Sequence, residues 1–74
     1  MSSVLHLVKG EAPLALAVIA AELADGDAVT VAVLEGAPSP ADLPGTVTIR
    51  RVSRDLSYPE LLELVFAADQ VIAW

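Results

Sequence analysis

Val4 to Lys9 and Ala28 to Leu34 are short, nearly unbroken apolar runs, the pattern of strands covered on both faces. Gly10 breaks the first run, and the second is rich in β-branched residues with Thr30 as its one hydroxyl. Between them the sequence predicts a helix from about Ala12 to Ala24. Glu11 stands at the positive end of its dipole, Pro13 suits a first turn that needs no N–H, and Asp25-Gly26-Asp27 ends it. Strand, helix and strand within about 30 residues form a βαβ unit, which commits the chain to a parallel sheet.

A second half follows after a break. From Glu35 to Gly45, Pro38, Pro40 and Pro44 interrupt any regular pattern, so this stretch reads as a loop in place of a helix. Thr46 to Val52 reads as a third strand with one face less covered, Val47 and Ile49 alternating with Thr46, Thr48 and Arg50. Ser57-Tyr58-Pro59-Glu60 is a capping-box signature for a second helix reaching about Ala67. On that helix Tyr58, Leu61, Leu62 and Val65 form the expected apolar stripe, with Glu60, Glu63 and Ala67 on the wetter side. Val71-Ile72-Ala73-Trp74 is a short fourth strand. The expectation is a single α/β domain over residues 1–74. Its sheet is open, four-stranded and parallel, in the order 2-1-3-4, with the two main helices on opposite faces.

Seventy-four residues offer little interior, and neither a disulfide nor a zinc site can add to it: the chain has no cysteine and only one histidine. Stability must come from burial of its 55% hydrophobic residues. Four Lys and Arg against ten Asp and Glu give a net charge of −6, which disfavours direct nucleic-acid binding. The apolar stretch from Ala12 to Ala21 is ten residues long, against the roughly 20 that span a bilayer. Glu11 and Glu22 flank it, which argues against a signal peptide and for a cytoplasmic protein.

The first helix is apolar over an unusually wide arc. Leu14, Leu16, Val18, Ile19 and Leu23 alternate with alanines, and Glu22 is the only charge before Asp25. One sheet face cannot cover such a helix, so these five residues are the expected subunit interface.

Ligands of open α/β sheets bind beyond the carboxyl ends of the strands, and all four basic residues, Lys9, Arg50, Arg51 and Arg54, fall near that edge. They form an anion site or a docking patch for an acidic partner or RNA, or else are solvated cations paired with Asp55 and Glu35. No nucleotide-loop, zinc-protease or metal-ligand pattern is present, and no cofactor or metal is expected. His6, mid-strand among apolar neighbours, reads as a hydrogen-bonded core residue. Ser53 and Ser57 read as loop and cap residues, and Asp25 and Asp27 as turn residues. Without cysteine, the chain cannot itself carry out thiol or persulfide chemistry, so no catalytic residue is expected.

Leu5-His6 on the first strand, Asp25-Gly26-Asp27 before a Val-rich strand, and the stretch Leu56-Ser57-Tyr58-Pro59-Glu60-Leu61-Leu62-Glu63-Leu64 ending in Ala73-Trp74 carry a resemblance. Across nearly its whole length the chain resembles the DsrH/TusB-like family of the DsrE/F/H sulfur-relay superfamily. The resemblance implies a small cytoplasmic subunit that assembles with DsrE-like and DsrF-like relatives, commonly as a two-fold heterohexamer. Such assemblies pass persulfide sulfur onward, toward 2-thiolation of the tRNA wobble uridine or within dissimilatory sulfur metabolism. Some members carry a cysteine in the first helix; the matching stretch around Val18 to Ala21 has none, so the acceptor role falls on no residue here. The alternative from another class is a freestanding homo-oligomeric α/β domain that binds a small anion or an acidic partner at the basic edge.

Overall fold

The computed structural model describes residues 2–10, 14–34 and 46–74. Its elements run β1 (Ser3–Val8), α1 (Ala15–Ala24), β2 (Ala28–Val33), β3 (Thr48–Arg51), α2 (Tyr58–Ala67) and β4 (Gln70–Ala73). The four strands form one all-parallel sheet, as the two βαβ halves require. The expected helix start at residues 11–13 and the expected loop at 35–45 lie outside the described residues.

The strand order is β3-β2-β1-β4, which corrects the expected 2-1-3-4. The reason is a matter of which strands tolerate an edge. The expected order would leave the apolar β2 half-paired and carry Arg50 and Arg51 into the interior. In the observed order the two six-residue strands take the centre and the two four-residue strands take the edges. Val31 and Ala32 of β2 are accordingly shut off from solvent, while β3 is largely exposed.

The crossover through α1 steps toward the β3 edge, and that through α2 returns across the sheet toward β4. With one handedness for both, the two helices must lie on opposite faces. They do. Ala15 and Ile19 of α1 pack on Val8, Val29, Val31 and Val33, whereas Leu61 of α2 packs on Leu5, Ala32, Val52 and Leu56. Neighbouring residues of β1 and β2 thus serve two separate cores, as the period of a strand dictates.

The three helix boundaries expected in the described chain are found, α2 ending at Ala67. α1 stops where Gly26 takes φ 84°, a conformation glycine adopts without cost, and the Gly26 and Asp27 N–H groups close on Leu23 and Glu22 carbonyls at 3.0 Å. At the start of α2, Glu60 N–H donates to Ser57 Oγ at 3.3 Å and Ser57 N–H to Glu60 Oε1 at 2.9 Å, completing the capping box. Between β3 and α2 the chain makes a tight turn, with Ser53 at φ 68°. There the Asp55 carboxylate accepts from the Arg51 N–H at 2.9 Å, and the turn folds Val52 and Leu56 into the core.

Candidate functional site

Among the described residues, two regions hold groups able to do chemistry or bind. The first is buried. His6 on β1 has no solvent exposure and lies on the α1 face of the sheet, where both ring nitrogens are used. Its Nε2 meets Glu22 Oε1 of α1 at 2.5 Å, and its Nδ1 accepts from the Trp74 indole Nε1–H at 2.9 Å.

An indole N–H can only donate, so Nδ1 must offer its lone pair and the imidazole proton sits on Nε2, pointing at Glu22. The contact to Glu22 is therefore a hydrogen bond from a neutral ring. The His6 and Trp74 rings lie within 12° of coplanar with centroids 6.1 Å apart. An indole N–H lies in the plane of its ring, so an acceptor 2.9 Å along it places the two nearly coplanar rings edge to edge. With both nitrogens engaged, His6 has no free site for a substrate proton, in keeping with its reading as a core residue.

The sequence hides this trio because its members lie on β1, α1 and just past β4. A signal for Glu22 exists nonetheless: Ala15, Ile19 and Glu22 are spaced i, i+4, i+7, on the stripe of α1 that turns inward. A lone acid on a buried stripe demands a polar partner, and His6 is the buried polar side chain that answers it among the described residues.

The second region is the carboxyl edge of the sheet. Lys9, Arg50, Arg51 and Arg54 all lie near it, but not in one cradle. The register sets Arg50 opposite Ala32, on the α2 face, and Arg51 opposite Val33, on the α1 face. Lys9 follows β1, two strand spacings or roughly 10 Å from β3. Arg54 stands exposed in the turn after β3.

Arg50 borders an open groove of about 480 Å³ beside α2, shared with Asp55, Glu60, Glu63, Leu56 and Leu64. Three carboxylates in one groove with one guanidinium make a mixed surface rather than a pocket for an anion. The expected pairing of the cations with Asp55 takes another form: that carboxylate accepts from the Arg51 backbone N–H. Glu35 lies outside the described residues. The Ser57 N–H and then the Ser57 hydroxyl, with Arg50 adding least, hold the Glu60 carboxyl below its ordinary range. Among the described residues no group of three or more His, Asp or Glu side chains is placed to hold a metal ion. No described helix is long and apolar enough to cross a membrane.

The expected interface on α1 divides. Ile19 is 1% exposed and packs on the sheet, so it belongs to the core. Val18 and Leu23 are half-buried, and Leu14 and Leu16 project outward beside Ala17, Ala20, Ala21 and Ala24. The expected stripe on α2 divides as well. Leu61 is buried and Val65 half-buried, but Tyr58 and Leu62 face solvent together with Phe66, which sequence reasoning overlooked.

Comparison with protein-family models, with curated proteins and with solved structures finds no match to this chain.

Proposed function

We propose that this chain is a non-catalytic subunit of a sulfur-relay assembly, similar to the DsrH/TusB-like family, in which cysteine-bearing partners supply the reactive thiol. The observation that carries the reading is the engagement of His6. The single histidine of a cysteine-free chain spends both nitrogens on Glu22 and Trp74, inside the core. With no cysteine the chain has no thiol to accept sulfur, and His6 has no free nitrogen to act as the base that would activate one.

Further support comes from the stretches that carry the resemblance. The segment from Leu56 to Leu64 forms the capped start of α2 and supplies Leu56 and Leu61 to one core, while the Trp74 indole donates to His6 Nδ1. The persulfide would travel over DsrE-like and DsrF-like subunits in the cytoplasm, toward tRNA 2-thiolation or dissimilatory sulfur metabolism, with this chain completing the assembly.

Co-expression with cysteine-bearing DsrE-like and DsrF-like proteins of the same cell tests the reading. The expected result is one complex of fixed stoichiometry, with persulfide found on partner cysteines and none on this chain. Separate elution of all three proteins refutes it.

A further inference from the structure

α2 carries two apolar rows, and the sheet can cover only one. Leu61, Leu64 and Val65 turn toward the core of Leu5, Ala32, Val52 and Leu56. Tyr58, Leu62 and Phe66, at i, i+4 and i+8, point away from it and are 55%, 57% and 84% exposed. The groove of Arg50, Glu60 and Glu63 marks the flank of α2 that faces β3, so this row lies toward the β4 side. There Val71 of β4, opposite Leu5 and hence on the same face of the sheet, is also exposed.

We propose that a second copy of this chain covers this ridge in a two-fold dimer. Residues at i±4n form the ridges by which helices most often interlock, crossing near −50°. Here each ridge lies in the groove alongside the partner's own Tyr58-Leu62-Phe66 row. The row is centred on Leu62. A two-fold axis beside Leu62 therefore sets Tyr58 of each copy against Phe66 of the other, and one surface serves both sides, as an isologous contact requires.

The size of the surface fits a weak dimer. Phe66, Leu62, Tyr58 and Val71 together expose on the order of 400 Å² of apolar area, judged from the 150–250 Å² of an aromatic side chain. A standard interface needs about 800 Å² per partner, so these residues supply its apolar centre, and the surrounding contacts keep it at the small, dissociable end. The sheet edges differ in the same sense: β3 is guarded by Arg50 and Arg51, while β4 (Gln70–Ala73) carries neither charge nor proline. With −6 on each copy, repulsion opposes the contact and salt relieves it. The proposal does not depend on the sulfur-relay reading, since self-pairing stands or falls without any relay partner.

Sedimentation velocity on the whole chain, from low micromolar to near millimolar concentration, tests it. The expected result is a reversible shift from the 7.7 kDa monomer to twice that mass, stronger in added salt. Leu62→Glu and Phe66→Glu should each weaken the dimer at least tenfold while leaving circular dichroism unchanged and, at concentrations where the parent is monomeric, melting unchanged, because both side chains project from the monomer. Leu16→Glu on α1 should leave dimerisation within twofold. Leu62→Cys, in a chain that otherwise lacks thiols, should cross-link to itself on oxidation. A strict monomer across the range, or a dimer that survives both α2 substitutions and yields to Leu16→Glu, overturns the proposal.

Discussion

The Trp74 indole donates to His6 Nδ1 at 2.9 Å across 68 residues of sequence, tying the end of β4 to the middle of β1. Trp74→Phe keeps an aromatic ring over the core but leaves a buried nitrogen without a partner, at a cost of about 1–3 kcal/mol. His6→Leu strands the Glu22 carboxylate instead, and adding Glu22→Leu should recover much of the loss, because apolar groups can replace both ends of a buried polar pair. Urea unfolding of the single and double variants measures each step. A double variant less stable than His6→Leu alone would show that the carboxylate does not depend on the ring.

Ile19 and Leu16 separate the two sides of α1. Ile19→Ala empties a buried site between helix and sheet and should cost about 2–5 kcal/mol, a large share of the stability of so small a domain. Leu16→Ala should stay within about 0.5 kcal/mol, the range of ordinary surface changes. Equal losses in chemical denaturation would mean that α1 is rotated from the orientation described.

Gly26 ends α1 with φ 84°, and a Cβ placed there meets nothing within 4 Å. Gly26→Ala therefore costs only what the backbone conformation imposes, about 1 kcal/mol, with no clash against the rest of the fold. An alanine variant as stable as the parent in thermal unfolding would place the helix end elsewhere.

Ser57 and Glu60 should give the protein a measurable acid dependence. Ser57→Ala removes half of the capping box and should lower the melting temperature at neutral pH by about 4–8 °C. The box also holds the Glu60 carboxyl below its ordinary value of 4.5. A depressed folded-state value stabilises fully above the unfolded one and is lost as pH falls through the folded one. The difference between parent and Ser57→Ala should thus be constant near neutrality and shrink below about pH 4.5. A difference that grows in acid would contradict the capping geometry.

Much of the architecture was legible because local chemistry and tertiary demand agreed. The apolar runs became β1 and β2, Gly26 ended α1, and Ser57 with Glu60 started α2. Strand order differs from the expected one because joining the two halves in the simplest way takes no account of which strands bear exposure. Arg50 and Arg51 already argued that β3 belongs at an edge. The division of α2 was hidden for a related reason: Tyr58, Leu61, Leu62 and Val65 make a single wide arc on a helical wheel, and only the position of the sheet decides which part is covered. The partners of His6 lie 16 and 68 residues away, beyond the reach of any local pattern.

The chain contains one tryptophan, and its ring nitrogen is bound only once β4 has docked beside β1. Indole emission is thus a built-in optical gauge of the last strand's arrival. It can be followed in real time without a label, and it separates closure of the sheet from formation of the helices, which circular dichroism records independently.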